Sequence, residues 1–192
     1  MLGSTQPEAD VDLDAAVAAG VAVARRRSGG GAVWVDPEDP LWIDVWVPRR
    51  HRLHDDDVGR AAHPVGAAFA AALTSLGADP ALSVHRDAFV CPPGARQVCF
   101  VGSGPGEVRT ATGKVVGISQ RRSRGGARFQ CALYRRWDPN PLASCLRTPP
   151  PPAVLAAAGI GLGELGVDAD IATVDVVDAL IVALDEVESA RS

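Results

Sequence analysis

A series of short β-rich segments between residues 81 and 134 places the strongest limit on the fold of this chain. The segments are separated by Gly and Pro turns and read ALSVH, DAFVC, RQVCFVG, GEVRT, KVVGISQRR and ARFQCALYRR. The segment Leu41–Val47 reads LWIDVWV and alternates as a strand does, with Leu41, Ile43, Val45 and Val47 on one face. Alternating runs separated by turn residues are typical of antiparallel strands. The pattern predicts a largely antiparallel or mixed sheet, and the composition excludes collagen-like and coiled-coil classes.

Helix signals flank and interrupt these segments. The predicted helices are 11–19, ended by Gly20, a longer one over 57–76 that begins near Pro64, a short one over 140–146, and an amphipathic one over 173–188. Helices at both ends and in the middle of an antiparallel sheet define an α+β domain. Residues 21–25 and 32–36 are predicted as two further strands on either side of a glycine turn.

A chain of 192 residues has the length of one domain with a short appendage. Residues 1–8 are predicted to be a flexible tail and residues 9–148 the main domain. The proline run at 149–152 favours an extended conformation. We therefore expect residues 149–192 to form a Pro-rich spacer and a C-terminal helix that packs on the same domain.

Composition and charge exclude several function classes. No apolar run approaches the roughly 20 residues that span a bilayer, and the net charge of −4 argues against a nucleic-acid partner. The four cysteines, at 91, 99, 131 and 145, lack metal-ligand spacing, so we predict no metal-ligating residues. The acidic N-terminal stretch has no apolar core of a signal peptide, which predicts a protein of the reducing cytoplasm with no membrane partner.

Lys114 is the single lysine among 19 basic residues, of which 18 are arginines. An ammonium is a compact point charge on a flexible stem, whereas a guanidinium is a wide planar fork. Codon bias explains the arginines but not this exception. The lysine lies in the run GKVVGISQRR, between a glycine and a β segment, where a cation reaches over a sheet to an acyl or phosphate oxygen.

A second motif, RRRSGGGAV, contains three consecutive glycines between the two predicted strands. Glycines allow a close approach of the backbone to a ligand, and their N–H groups converge on anions. Adjacent arginines bind carboxylate or phosphate oxygens in pairs. A phosphate-binding P-loop is excluded, because that motif requires a second glycine directly before Lys-Ser/Thr.

The two motifs, RRRSGGGAVWVD and then GKVVGISQRR followed by GGARFQCAL, resemble the catalytic domain of lipoate-protein ligases and octanoyltransferases, which is related to biotin protein ligase. The resemblance covers about residues 20–147. It implies a class II synthetase-like, biotin/lipoate ligase-like α+β fold. It also implies that the chain attaches a medium-chain acyl group, lipoate or octanoate, to a lysine of an E2- or H-protein-type lipoyl carrier domain through an acyl-adenylate, with ATP and Mg²⁺.

The resemblance assigns roles to particular residues. Lys114 is implied to be catalytic and to contact the activated acyl carbonyl or phosphate. Arg26 is implied to hold the phosphate or carboxyl end, and Asp87 in HRDAFV resembles an acidic position near the nucleotide. The substrate- or nucleotide-binding residues implied are Arg25, Arg26, Ser28, Gly29, Gly30, Gly31, Ala32, Asp87 and Gly117.

Departures from the family pattern leave two alternatives open. Residues 130–132 and Val35 replace frequent histidines, and the usual N-terminal segment and accessory domain are missing, which points to a separate accessory subunit. The first alternative is a transferase that forms a cysteine thioester, with Cys91 or Cys145 as candidate nucleophile, although a free cysteine is more often a small buried apolar residue. The second is a non-catalytic descendant that binds an acyl or nucleotide ligand.

Overall fold

The structure, a computed structural model, describes residues 1–79 and 82–191. Ala81, the first residue of the predicted β-rich region, and Ser192, the last of the predicted C-terminal segment, lie outside these ranges. The described residues form five strands and five α-helices. In chain order these are α1 (Leu13–Ala18), β1 (Leu41–Pro48), α2 (His63–Ser75), β2 (Ser83–Val84), β3 (Val108–Arg109), β4 (Lys114–Ser123), β5 (Gly126–Leu133), α3 (Asn140–Ser144), α4 (Pro152–Ala156) and α5 (Thr173–Ser189), with single 3₁₀ turns at Glu8–Asp10 and Gly163–Leu165.

The strands form one antiparallel sheet in the order β1-β5-β4-β3-β2. The register of β1 follows from its alternation, because its apolar residues face apolar residues of β5. These pairs are Leu41–Leu133, Ile43–Cys131, Val45–Phe129 and Val47–Ala127. Cross-strand apolar pairs on one face stabilise a sheet and specify its register. The α+β prediction, with a largely antiparallel sheet, is confirmed.

α2 packs on the apolar face of the sheet, α5 packs against α2, and both helices share the main core with the strands. α2 begins at His63 because Pro64 suits the first turn of a helix, where its missing N–H is not needed. Phe69 and Leu73 of α2 are fully buried, and Leu180 of α5 is 3% exposed. The helix predicted over 57–76 is therefore shorter at its start, and the C-terminal helix packs against α2.

The hairpin predicted around the glycine run does not form. Arg25 instead makes an isolated parallel bridge to Leu2, and Ala32 makes one to Val98. Gly30 has φ +96°, and a Cβ on Gly31 would lie 2.5 Å from the Arg96 carbonyl oxygen. The glycine run is thus pressed against the backbone of a distant segment, and that contact replaces pairing between its own flanks.

Residues 1–8 are ordered against the domain, whereas the sequence predicts a flexible tail. Leu2 is 3% exposed, and the Met1 ammonium donates to the Val33 carbonyl oxygen at 2.7 Å. The Arg25 guanidinium donates to the carbonyl oxygens of Gly3 and Gln6 at 2.7 and 2.6 Å. These hydrogen bonds join the segment to residues more than 15 positions away, so its local composition does not predict them. They hold the segment against the rest of the domain.

Two of the predicted β segments are not regular strands. In DAFVC only Val90 pairs, with Ser103, and in RQVCFVG only Val98 pairs, with Ala32. The proline run ends where Pro152 begins α4. No helix in the described ranges is both long and apolar enough to cross a membrane.

Candidate functional site

A cavity of about 790 Å³ opens where the glycine run meets the N-terminal segment and β4. Cavities of this size accommodate small organic ligands. It is lined by four stretches of chain that lie far apart in sequence: Thr5, Gln6, Pro7 and Asp10; Gly29, Gly30 and Gly31; Phe89, Gly94 and Arg96 to Cys99, with Gly104 and Glu107; and Ile118, Ser119 and Gln120 of β4. The residues predicted from the glycine motif and the region around the lysine motif therefore face a common space.

The glycine run lines this cavity and carries unbonded backbone N–H groups. Gly31 admits no side chain, because its Cβ would lie 2.8 Å from the Cys99 nitrogen as well as against Arg96. Within the described ranges, no acceptor is bonded to the backbone N–H groups of Gly29, Gly30 and Gly31. Unpaired N–H groups on a glycine turn favour an anionic or carbonyl oxygen.

Arg26 lies behind the glycine run and holds its shape. Its guanidinium is buried, with a residue exposure of 6%, and donates to the carbonyl oxygens of Gly29 and Gly31 at 2.7 and 2.9 Å. Its Nε donates to Ser28 Oγ at 3.1 Å. Burial lowers the pKa of Arg26, whereas the neighbouring Cys99 thiol acts to raise it. The predicted phosphate-binding arginine thus fixes the loop directly, and its positive charge lies beneath the loop.

Ser28 joins the glycine run to the sheet. Its hydroxyl donates to Gln130 Oε1 at 2.7 Å and accepts from Ser119 Oγ at 2.9 Å. Ala32 continues the attachment, since its N–H donates to the Gln97 carbonyl oxygen and its own oxygen accepts from the Cys99 N–H. Arg25 holds the N-terminal segment, as described above, and does not line the cavity with the other described residues.

Lys114, the first residue of β4, is 1% exposed. Its Nζ lies 2.7 Å from Glu107 Oε2, donates to the Cys99 carbonyl oxygen at 2.9 Å, and lies 5.3 Å from the centre of the Phe100 ring. An ammonium has three donors, and these contacts use two of them. Both of its hydrogen-bonding partners line the cavity, so the charge lies directly behind the cavity wall.

Gly117 and the backbone around Glu107 make this arrangement possible. A Cβ on Gly117 would lie 3.1 Å from the Phe100 ring and 3.7 Å from Lys114 Cδ, so a glycine leaves room for both. Glu107 accepts from the N–H groups of Gly104 at 2.7 Å and Ile118 at 3.2 Å. A buried ion pair is tolerated when further hydrogen bonds satisfy it, as they do here.

The structure does not bring Asp87 to this site. Asp87 is exposed and is absent from the described lining of the cavity, although later residues of the same segment, from Phe89 onward, line it. The carboxylate beside the lysine is that of Glu107, which precedes β3 and crosses the β3–β4 turn to reach Lys114. The sequence does contain a signal for this ion pair, because Glu107 lies at the base of the hairpin that carries the single lysine.

The two cysteines proposed as nucleophiles also lie away from the cavity lining described. Burial raises the pKa of the Cys91 thiol, which opposes thiolate formation. Cys145 is 6% exposed in an apolar cluster with Leu142 and Leu146. Cys99, which the sequence analysis did not single out as a nucleophile, is half-buried and lines the cavity.

Carboxylates in the described ranges do not gather into a metal centre. No group of three or more His, Cys, Asp or Glu residues there is arranged to hold an ion. Glu107 and Asp10 are the acidic residues of the described cavity lining. Mg²⁺ is usually held by one or two carboxylates together with substrate phosphates, so the residues present fit a nucleotide-borne Mg²⁺ but not a metal held by protein alone.

An antiparallel α+β domain in which a glycine run and the partners of a buried lysine line one cavity fits the class of lipoate ligase catalytic domains. A model of the lipoyl protein ligase A/B catalytic domain family matches residues 1–168. The chain belongs to that family. Comparison with curated protein sequences gives no match.

Solved structures of lipoate ligases share the fold. A putative lipoate protein ligase from T. acidophilum with bound lipoic acid superimposes with a TM-score of 0.68 at 21% identity, covering 97% of this chain and 66% of that one. A lipoate-protein ligase A bound with ATP gives 0.68 at 21% identity, covering 97% and 67%. A bipartite lipoate protein ligase described with its E2 lipoyl domain, from Thermoplasma acidophilum, gives 0.69 at 22%, covering 97% and 66%. The chain thus spans about two thirds of the length of these proteins.

Proposed function

We propose that the protein is a lipoate/octanoate-protein ligase-like enzyme that attaches a medium-chain acyl group to a lysine of a lipoyl carrier domain through an acyl-adenylate. The observation that carries this proposal is that the glycine run lines the cavity with unbonded N–H groups, while the Lys114 ammonium lies behind the same cavity and binds two of its lining residues, Glu107 and Cys99. Similar folds carry lipoic acid and ATP in the relatives, which supports these two substrates.

Attack on an acyl phosphate places negative charge on the acyl oxygen and on the leaving phosphate. The glycine donors are oriented in advance, because Arg26 and Ser28 fix the loop that carries them. Lys114 supplies a fixed positive charge, held by Glu107 and the Cys99 carbonyl. Donors that are already in place stabilise such charge at low cost, since nothing reorganises during the reaction.

The partners proposed are a lipoyl carrier domain of the E2 or H-protein type and a separate accessory subunit. The bipartite archaeal ligase described with its E2 lipoyl domain supports both. ATP would arrive with Mg²⁺ held mainly by the nucleotide phosphates, and Asp10, the carboxylate of the described cavity lining that does not pair with Lys114, would be its protein ligand. The four free cysteines fit the proposed cytoplasmic location.

The test is a carrier-acylation assay. The protein is incubated with an apo lipoyl domain, ATP, Mg²⁺ and either octanoate or lipoate, and the carrier is weighed by intact mass spectrometry. We expect wild-type protein to add one acyl group, and Lys114→Ala to lower the rate by on the order of 10²- to 10³-fold. The matched control is Arg128→Ala, which removes a largely exposed cation outside the described cavity lining and is expected to keep the wild-type rate.

The result separates the proposal from a non-catalytic role. Binding of octanoate or ATP in calorimetry without any carrier mass gain, while a known ligase succeeds in parallel and the accessory subunit is present, would contradict the enzymatic function. Such a result would favour the ligand-binding descendant.

A further inference from the structure

Two groups of arginines that lie far apart in the sequence meet at one end of the sheet. Arg49 and Arg50 follow β1, whereas Arg121 lies near the end of β4 and Arg124 lies in the turn between β4 and β5. The two stretches are in contact, because the Arg49 N–H donates to the Gly125 carbonyl oxygen at 2.8 Å. The fold therefore collects exposed arginines at the tip of the β4–β5 hairpin.

A row of exposed side chains crosses three neighbouring strands beside this tip. Trp46 of β1 pairs with Arg128 of β5, and Arg128 pairs with Arg121 of β4, so the three side chains lie on one face of the sheet. Phe129, the next residue on β5, points the opposite way into the main core. Trp46 is 51% exposed, and both arginines are exposed. Tryptophan and arginine are enriched among the residues that contribute most to binding at protein interfaces.

This row lies directly beside the cavity. Ser119 lines the cavity and lies two residues before Arg121 on the same face of β4, which places the two residues about 7 Å apart along the strand. The Ser119 hydroxyl also donates to Ser28 Oγ, so the glycine run is anchored one row before the exposed side chains. A protein that inserts a lysine side chain into the cavity from this side rests its own surface on the row.

The hairpin tip carries positive charge, although the whole chain has a net charge of −4. Exposed carboxylates at this end of the sheet are already paired, Asp44 with Arg128 and Asp56 with Arg49 and Arg122. Within residues 1–79 and 82–191, Arg121 and Arg124 form no ion pair. Two guanidinium groups without a counter-charge, next to an exposed indole, are complementary to a protein surface that carries carboxylates.

We propose that Trp46, Arg121 and Arg124, which we call the arginine face, dock the carrier protein through carboxylates around its acceptor lysine. This inference rests on the proposed function and specifies the chemistry of the partner, an acidic protein surface from which one lysine enters the cavity. The indole supplies apolar contact area, and the guanidinium groups orient the carrier through paired hydrogen bonds to its carboxylates. Attraction between the opposite charges also speeds association at low salt.

Reversal of one charge tests the arginine face. Arg121→Glu is compared with Arg136→Glu, which changes the net charge equally at an exposed arginine beyond the other end of β5. Carrier acylation is measured against the concentration of an apo E2 lipoyl domain, with ATP, Mg²⁺ and octanoate. We expect Arg121→Glu to raise the KM for the carrier by about tenfold at low salt and to change kcat by less than about twofold, whereas Arg136→Glu resembles wild type. High salt should reduce the difference.

Two further variants test the contact itself. Trp46→Ala removes the exposed indole and is expected to weaken binding of the apo carrier by about tenfold in calorimetry. The second variant is a lipoyl domain in which a carboxylate beside the acceptor lysine is changed to arginine. We expect Arg121→Glu enzyme to acylate this carrier faster than the wild-type enzyme does, because the two charges are exchanged. Such a rescue does not occur if Arg121→Glu merely misfolds.

The outcomes separate this inference from the proposed function when octanoyl-adenylate formed without carrier is trapped with hydroxylamine. Equal KM values for wild type and Arg121→Glu, in an enzyme that forms the adenylate and acylates the carrier, overturn the arginine face while the ligase function stands. Carrier binding that depends on Arg121, with neither adenylate nor acylation, overturns the ligase function while the docking surface stands. Tighter binding of a single-stranded RNA oligonucleotide than of the carrier, lost in Arg121→Glu, assigns the surface to nucleic acid and overturns the proposal.

Discussion

The helix side and the cavity side of the molecule differ in the kind of side chain that they bury. On the helix side, Phe69 and Leu73 of α2 and Leu180 of α5 are buried in one core with the apolar residues of the strands. On the cavity side, irregular segments bury Arg26, Glu107 and Lys114, whose charges lose hydration. Apolar burial stabilises the fold, whereas a buried ion pair contributes little to stability and is costly to break. The comparison indicates that the cavity side is retained for its chemistry and the helix side for its stability.

The largest expected effect on the helix side comes from Phe69→Ala. Phe69 is 0% exposed, so removing its ring leaves a cavity and is expected to lower the free energy of unfolding by about 3–5 kcal/mol. Urea unfolding measures this change. The affinity for octanoate, measured by calorimetry where the variant is still folded, is expected to remain unchanged. A weaker affinity in folded Phe69→Ala protein would show that packing on the helix side also determines ligand binding at the cavity.

The Glu107–Lys114 pair tests the opposite expectation on the cavity side. Glu107→Ala leaves the ammonium buried and unpaired and is expected to destabilise the protein by about 3–5 kcal/mol. The double variant Glu107→Leu with Lys114→Met removes both charges, so we expect it to unfold at a higher urea concentration than Glu107→Ala. Carrier acylation should stay low in both. Restored stability together with restored acylation would show that the charge pair does not serve catalysis.

Adding a methyl group at either Gly29 or Gly31 tests whether the geometry of the glycine run controls ligand binding. Gly31→Ala forces a Cβ against the Arg96 and Cys99 backbone, whereas a Cβ on Gly29 meets nothing within 4 Å. We expect Gly31→Ala to weaken octanoate or ATP binding by about tenfold or more, which is about 1.4 kcal/mol, and Gly29→Ala to bind nearly as wild type. Calorimetry with both ligands distinguishes them, and equal affinities would argue that loop geometry is unimportant.

A smaller loss of stability is expected at Tyr134, which packs against the Phe100 ring that Lys114 also contacts. Its ring lies 5.0 Å from that of Phe100, and its hydroxyl donates to the Trp34 carbonyl oxygen at 2.8 Å. Burial raises the pKa of Tyr134, so this hydroxyl stays protonated. Tyr134→Phe leaves an acceptor unsatisfied and is expected to cost about 1 kcal/mol in urea unfolding. If the free energy of unfolding fell by several kcal/mol, this aromatic cluster would contribute to stability as much as the main core does.

The smallest effect concerns His63 at the start of α2. Burial, aided by Arg86 and Arg60, lowers the pKa of His63 below its ordinary value. Because the unfolded chain then binds the proton more readily, stability falls as pH drops below about 6.5 toward the lowered folded pKa. We expect the thermal midpoint to decline less between pH 7 and 5 in His63→Gln than in wild type. Parallel curves for the two proteins would contradict this.

The regular side of the molecule was largely predictable from the sequence. The alternation in Leu41–Val47 predicts β1, and the facing register follows from apolar pairing alone. Pro64 marks the beginning of α2. Each of these signals is local, because helix and strand periodicities are written into consecutive residues.

The cavity side was predictable only in part. The lysine and glycine motifs identify their own residues, and Glu107 lies on the same hairpin as Lys114, but Cys99 reaches the glycine run through a contact between segments far apart in sequence. The strands predicted at 21–25 and 32–36 fail for the same reason, since Gly31 packs against the Arg96–Cys99 backbone. Periodicity does not encode such backbone-to-backbone contacts, and it does not reveal that the first eight residues form a wall.

The burial of the chain's single lysine has a consequence for any enzyme that makes an activated acyl group. A reactive mixed anhydride that escapes from its cavity modifies nearby exposed amines, and lysine side chains are the usual target. Here the only lysine amine is shielded at 1% exposure and engaged by a carboxylate. Under the proposed function, the arginine-rich surface offers no lysine side chain to a released acyl-adenylate, so the carrier's lysine faces no competition from lysines of the enzyme.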